Sequence, residues 1–344
     1  MRRTGEDSLL SWLRGRLATS STGDGIGDDA AILPPLESSV VTMDSQIAGV
    51  HFPPDLAAGH LARRLLAVNL SDLAAMGATP AYAFLALSAA AGFDHKAFFV
   101  SFLAACRRFG LTLAGGDLAR HPGGTIATLT LIGTKDQGAR WLRRSGTEPG
   151  HVLWLGGTVG ESAAGRILIE RGARLAKGRV DLPAFCEAFS SPLRAAARRA
   201  VRRHLEPAPQ LALGRWLGAQ PAKITGISAI DISDGVARDL HRLCRESHVG
   251  AEIVVETLPF AAHFTELCKA LGDVDPLALA FGGGEDYVLL FTLPPDLAPP
   301  PELGGRSIGT IVPRNRGGRS GPFMVHRGLR SKLPDAGWDH LSEE

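Results

Sequence analysis

At 344 residues, 45% of them hydrophobic and 21% charged, the chain has room for two ordinary globular domains. A formal charge of +2 gives no bulk pull toward nucleic acid or a membrane surface. No run of about 18 apolar residues exists, and the N-terminal MRRTGEDSLLSWLRGRL lacks an unbroken apolar stretch, so neither a membrane span nor a signal peptide is expected. Four scattered cysteines (Cys106, Cys186, Cys244, Cys268) form no CxxC pair or metal-ligand spacing, and read as buried reduced thiols of a cytoplasmic protein.

Taken in chain order, residues 40–43 are short, apolar and β-branched, and read as a strand that delivers Asp44 at its C-terminal end. Residues 59–77 read as a helix with Leu61, Leu65, Leu66, Val68, Leu70 and Leu73 on one broad face; Asn69 and Asp72, three apart, share a side of it. A strand follows at 81–88, then a helix from an Asp94 cap to 109, a short strand at 111–114, and a strongly β-branched strand at 125–133. The polar, glycine-rich segment 135–150 is the best candidate for a domain crossing, placing domains at 1–138 and 139–344.

Beyond it, strands are expected at 151–155, 223–232, 252–255, 287–292 and 307–312. Helices are expected from about Gly160, at 191–204 and at 236–247. The Arg-rich face within 194–204 reads as solvated, the tryptophans 12, 141, 154 and 216 as packing residues, 293–301 as a surface loop and 314–321 as a mobile one. Alternating strand and helix patterns in both halves argue α/β or α+β domains.

The acidic residues fall in an unusual pattern: Asp28 and Asp29 in GIGDDAAIL, Asp44 after VVTM, Asp72 in AVNLSDLAAMGA, Asp117 in LAGGD, Asp231 and Asp234 in IDISDG, Glu285 and Asp286 in FGGGEDY. Taken singly, each is explained by a turn or a cap, and Asp234 alone reads as a cap for the helix starting at Val236. As a set they are harder to explain. Carboxylates gathered in one cleft repel by roughly 4 kcal/mol per pair at 4 Å and an effective dielectric of 20. Hard divalent cations relieve that repulsion, and Mg²⁺ favours oxygen ligands together with phosphate. No GxxxxGK[ST], strand-linked GxGxxG, or HRD and DFG set is present, so a nucleotide would be held in another way.

GIGDDAAIL, VTMDSQIAGVHF, LAVNLSDLAAMGATP, LAGGD, RSGTEPG, IDISDG and GGGEDYVLLFT, with the closing GWDHL, occur in the order that characterises thiamine-monophosphate kinases, which the chain resembles over nearly its whole length. The GVHF segment and GGEDY favour this family over aminoimidazole-ribonucleotide synthetase and its other relatives. The resemblance implies a two-domain aminoimidazole-ribonucleotide synthetase-like fold. The N-terminal mixed sheet would pair into a barrel across a homodimer, beside a C-terminal α/β domain, with ATP and several Mg²⁺ ions in the cleft. It implies direct transfer of the γ-phosphoryl of ATP to thiamine monophosphate.

Carried over position by position, Asp29, Thr42, Asp44, Asp72, Asp117, Asp231 and Asp234 would be metal ligands. Phe99, Gly116, Asp117, Arg144 and Ser233 would contact ATP. His51, Glu285 and Trp338 would face thiamine monophosphate. A phosphate nucleophile is already anionic, so no general base is expected. Two departures stand out: Met43 replaces a common hydroxyl residue, and Leu118-Ala119 follow GGD where threonines are usual. They keep two alternatives open, a same-fold enzyme with another phosphorylated acceptor and a catalytically silent nucleotide-binding relative.

Overall fold

The computed structural model describes residues 38–176, 178–314 and 321–337, with Leu9, Trp12, Leu13, Gly15, Arg16, Leu33 and Leu36 besides. Asp28, Asp29, Trp338 and most of the expected 314–321 loop lie outside the described residues. The chain divides into two units, Met1–Leu70 with Thr79–Lys135, and Ser71–Ala78 with Asp136–Glu344.

In the first unit, strands β1 (Ser39–Ile47), β2 (Thr79–Ala89), β3 (Thr112–Arg120) and β4 (Ile126–Thr134) form a four-stranded sheet in the order β1-β4-β2-β3. β2 and β3 run parallel, joined by a helix, and the other pairs are antiparallel. The sheet is mixed and open among the described residues. Alternation along β4 is strict: Ala127, Leu129 and Leu131 are buried, while Ile126, Thr128, Thr130 and Ile132 face the other side and are only half-buried. On that second face, Val41 is 63% and Met43 66% exposed.

Helix α1 (Ala58–Ala75) buries its predicted leucine face completely, and Asn69 with it. Helix α2 (His95–Phe109) starts where expected, the Asp94 carboxylate accepting the Ala97 N–H at 2.9 Å, and ends on Gly110 in the left-handed conformation. Two expectations are corrected here. β1 continues past residue 43, so Asp44 sits within the strand rather than at its end. β3 runs on through Gly115-Gly116-Asp117 to Arg120, beyond the 111–114 strand expected.

The second unit carries a seven-stranded sheet ordered β13-β12-β9-β11-β5-β10-β8, from β5 (Val152–Leu155), β8 (Ala229–Asp231), β9 (Gly250–Val254), β10 (Leu289–Leu293), β11 (Arg306–Val312), β12 (Phe323–His326) and β13 (Leu329–Lys332). β6 (Arg174–Ala176) and β7 (Arg179–Asp181) form a separate ribbon. The core joins Leu153, Leu155, Ile230, Ile253 and Leu290 of the sheet to Val236, Leu240 and Leu243 of one helix. Trp154 stacks on Phe291 with centroids 6.3 Å apart, and the four cysteines are buried free thiols.

The helices of this unit are α3 (Glu161–Glu170), α4 (Ser191–Leu205), α5 (Leu211–Gly218), α6 (Val236–Ser247), α7 (Phe264–Ala270) and α8 (Pro276–Gly282). The strand expected over 223–232 shrinks to Ala229–Asp231; ahead of it, side chains take the carbonyls, Arg140 those of Ile224 and, just upstream, Gln220 and Pro221, and Thr292 Oγ1 that of Gly226. The Arg-rich face of α4 is also not merely solvated. Arg194 reaches the Glu187 and Phe189 carbonyls, Arg198 that of Val180, Arg199 that of Ala262, Arg202 that of Gly178 and Arg203 that of Asp286.

Helices α3 and α4 meet at Gly165, where an added Cβ would stand 2.1 Å from the Ala200 carbonyl oxygen. Gly165→Ala would gain about 1 kcal/mol of helix propensity. The overpacking it causes costs about 1–3 kcal/mol and outweighs that gain. The variant is therefore expected to be less stable in urea unfolding, and a more stable variant would contradict this packing.

Candidate functional site

In the first unit the structure anchors Asp44 through its backbone. Its N–H donates to Asn69 Oδ1 at 3.1 Å, while Asn69 Nδ2 donates to the Leu65 carbonyl at 2.8 Å. The buried asparagine thus ties the middle of β1 to α1. Thr42 and Asp44 lie two apart on one face of β1, opposite Leu131 and Leu129 of β4. Asp117 pairs with Ala86 and, through it, with Thr128, which belongs to the opposite face. The register therefore does not bring Asp44 and Asp117 to one side of the sheet.

Phe99 is 2% exposed and packs edge-to-face on Phe98 at 5.4 Å, so it is a core residue of this unit. Gly116 is required by close approach: a Cβ there would lie 1.9 Å from the Leu85 carbonyl oxygen. Leu118 and Ala119 line a cavity of about 480 Å³ together with Phe93, His95 and Arg120. His51 accepts the Ile47 N–H on Nδ1 at 3.1 Å, which leaves Nε2 as the protonated, donating nitrogen of the neutral ring.

In the second unit the IDISDG and GGGEDY segments are laced together by main chain. Ile232 N–H donates to the Val288 carbonyl at 2.8 Å, Tyr287 N–H to that of Ile232 at 2.8 Å, and Glu285 N–H to that of Ser233 at 2.7 Å. A Cβ on Gly284 would meet the Ser233 oxygen at 2.6 Å, so this approach needs glycine. Ser233, Asp234 and Glu285 are thereby brought together. Asp231 is buried, and its Oδ2 accepts the Ser71 hydroxyl at 2.8 Å, beside Asp72 in sequence. Arg144 is exposed, and its carbonyl accepts the Ser247 hydroxyl.

Asp234 does not cap α6; the residue at that position is Gly235 and no side chain accepts there. Asp234 instead pairs with Arg242 at 2.6 Å. The acceptor for this turn is Asp239, whose Oδ2 takes the N–H groups of Ser233 and Asp234 at 3.1 Å each, while its Oδ1 takes Arg242 Nη1 at 2.8 Å. Burial, and then the charge of Asp234, pushes the Asp239 carboxyl up to about 6. The sequence reading passed over Asp239 and Ser71; in sequence, each is one more polar residue in a helix, and only tertiary burial distinguishes it.

Among the described residues, no three His, Cys, Asp or Glu side chains converge closely enough to hold a metal ion. The donors themselves suit a hard cation: Thr42, Asp44, Asp72, Asp231 and Asp234 offer oxygen alone. Asp29 falls outside the described residues.

Asp286, next to Glu285, is fully buried. Its Oδ2 accepts the Gly160 N–H at 2.7 Å and its Oδ1 the Ser162 N–H at 3.2 Å, closing the start of α3. Burial raises this carboxyl from 3.8 to about 6, against the lowering pull of those N–H groups and Arg203. Between these values the folded chain holds a proton that the unfolded chain has lost. The stabilisation is thus complete below about 3.8 and disappears as pH rises through about 6. Relative to Asp286→Asn, the wild type is expected to lose thermal stability between pH 4 and 6 and to run parallel above about 7. Parallel melting curves across the whole range would contradict this assignment.

A family model described as AIR synthase related protein, N-terminal domain, matches residues 27–134. The thiamine-monophosphate kinase of Salmonella typhimurium is 35% identical over 296 residues, covering 84% of this chain and 83% of that protein. The corresponding protein of Rhodopirellula baltica is 30% identical over 307 residues, covering 85% and 83%. The solved thiamine-monophosphate kinase of Stenotrophomonas maltophilia superposes with a TM-score of 0.74 at 30% identity, covering 97% of this chain and 98% of that one. The structure of AaThiL complexed with AMPPCP and TMP superposes at 0.73 with 25% identity, covering 99% of each. The extent and identity of these matches establish that the chain belongs to the thiamine-monophosphate kinase family.

Proposed function

We propose that the protein phosphorylates thiamine monophosphate with ATP, giving thiamine diphosphate and ADP. The observation that carries this reading is the laced pair of loops that sets Ser233, Asp234 and Glu285 together in a member of this family. The related structure holding AMPPCP and TMP supports the choice of both substrates. An oxygen of the acceptor phosphate attacks the γ-phosphorus, and the bond from that phosphorus to the β–γ bridging oxygen breaks, releasing ADP. The nucleophile is already anionic, so the chain need supply no general base; its task is alignment and charge balance.

His51 Nε2–H would donate to the acceptor phosphate, with Glu285 and Trp338 at the cationic rings. Phe99, Gly116, Arg144 and Ser233 would border ATP; Phe99 does so only with a change in its packing, since it is now buried. Mg²⁺ held by Asp29, Thr42, Asp44, Asp72, Asp117, Asp231 and Asp234 would supply neutralisation of phosphate charge. Residues 1–138 would form the nucleotide- and metal-binding, dimerising domain and 139–344 the second α/β domain. The four free thiols, and the absence among described helices of one long and apolar enough to cross a membrane, suit a cytoplasmic setting.

Exposed Val41 and Met43, flanked by half-buried Ile132, support homodimerisation through the outer face of the first sheet. Met43→Asp is expected to shift sedimentation from dimer to monomer; a wild-type monomer at micromolar concentration would contradict the homodimer.

Chromatography of ATP, Mg²⁺ and thiamine monophosphate incubated with the protein tests the reaction. Wild type is expected to form thiamine diphosphate, and a folded Asp231→Asn to lose about 100-fold or more in kcat. ATP binding without product would overturn the kinase reading in favour of a silent relative.

A further inference from the structure

We propose that His204 is a positioning residue for Glu285, holding its carboxylate in the orientation that receives the cationic end of the acceptor substrate. The proposal rests on the reading of Glu285 as a substrate contact. Glu285 has φ +58° and Tyr287 φ +48°, left-handed values that a residue with a side chain keeps only when its surroundings enforce them. The enforcement is visible. Adjacent residues of α4 hold adjacent residues of the loop: Arg203 Nη2 donates to the Asp286 carbonyl at 2.7 Å, and His204 Nδ1 lies 3.2 Å from Glu285 Oε2. Asp286 in turn grips the start of α3, and Ser162 on that turn places its hydroxyl 3.2 Å from the same His204 Nδ1.

Nδ1 is the ring nitrogen that faces both Ser162 Oγ and Glu285 Oε2, and a proton held there would give the carboxylate, which only accepts, its donor. Ser, His and Glu here do not form a hydrolytic triad. Ser162 Oγ and Glu285 Oε2 lie at the same ring nitrogen, whereas a triad places its serine and its acid at opposite ones, and Ser162 is fully buried. The Glu285 side chain is 23% exposed and that of His204 only 5%, so the histidine is the buried anchor and the glutamate the presented group. Fixing a flexible carboxylate in advance spares the substrate the cost of ordering it.

The test measures KM for thiamine monophosphate and for ATP separately in wild type, His204→Leu, His204→Asn, His204→Gln and Glu285→Gln, with melting temperatures alongside. Asn places an amide nitrogen near the position of Nδ1, whereas Gln places one near Nε2. Leu and Gln are expected to raise KM for thiamine monophosphate about tenfold, with KM for ATP unchanged and Asn close to wild type. If Leu does not fold, the contrast between Asn and Gln decides. Equal values for Asn and Gln, or equal rises for both substrates, would overturn the proposal by showing a merely structural role. If Glu285→Gln raises KM and the His204 variants do not, the positioning role falls while the Glu285 contact stands. If Glu285→Gln has no effect, the contact falls too, and a wild type without product overturns the kinase reading itself.

Discussion

Backbone N–H groups that have no partner within a helix must find acceptors, and two buried carboxylates meet that need in the second unit. Asp286 takes the amides of Gly160 and Ser162, and Asp239 those of Ser233 and Asp234. Burying a carboxylate is costly unless it is fully hydrogen-bonded, and each of these has two amides, with Arg242 donating to Asp239 and the Arg203 charge acting on Asp286. The two loops that carry the acidic motifs are fixed as a result. Asp234 and Glu285 owe their positions to neighbours whose own charges are already committed.

This separates two kinds of acid that look alike on paper. In FGGGEDY, Asp286 is wholly inside and structural, while Glu285 is presented at the surface of the loop. In the helix after IDISDG, Asp239 is the buried acceptor, and Arg242 links it to Asp234. The arginines of α4 work likewise, spending their donors on loop carbonyls rather than on solvent.

Much of this was legible in the sequence where a local rule governs. The Asp94 cap, the leucine face of α1 and the bounds of α6 follow from periodicity and capping, and the structure has them. The motif order pointed to the family, and two of its motifs are laced together in the second unit. The failures came where distant groups decide. The stretch before Ala229 was expected to be strand, but the Ile224 carbonyl goes to Arg140 and that of Gly226 to Thr292. α5, α7 and α8 are seven or eight residues long, too short to show a period. Asp239 could be told from a surface acid only by its burial.

The central claim is that a phosphoryl group passes directly from ATP to a phosphate acceptor. Following ATP labelled in its γ-phosphate, with thiamine monophosphate present, tests it most directly. The account predicts label in the terminal phosphate of thiamine diphosphate, in step with ADP formation. Label released as inorganic phosphate while thiamine monophosphate stays unchanged would contradict it.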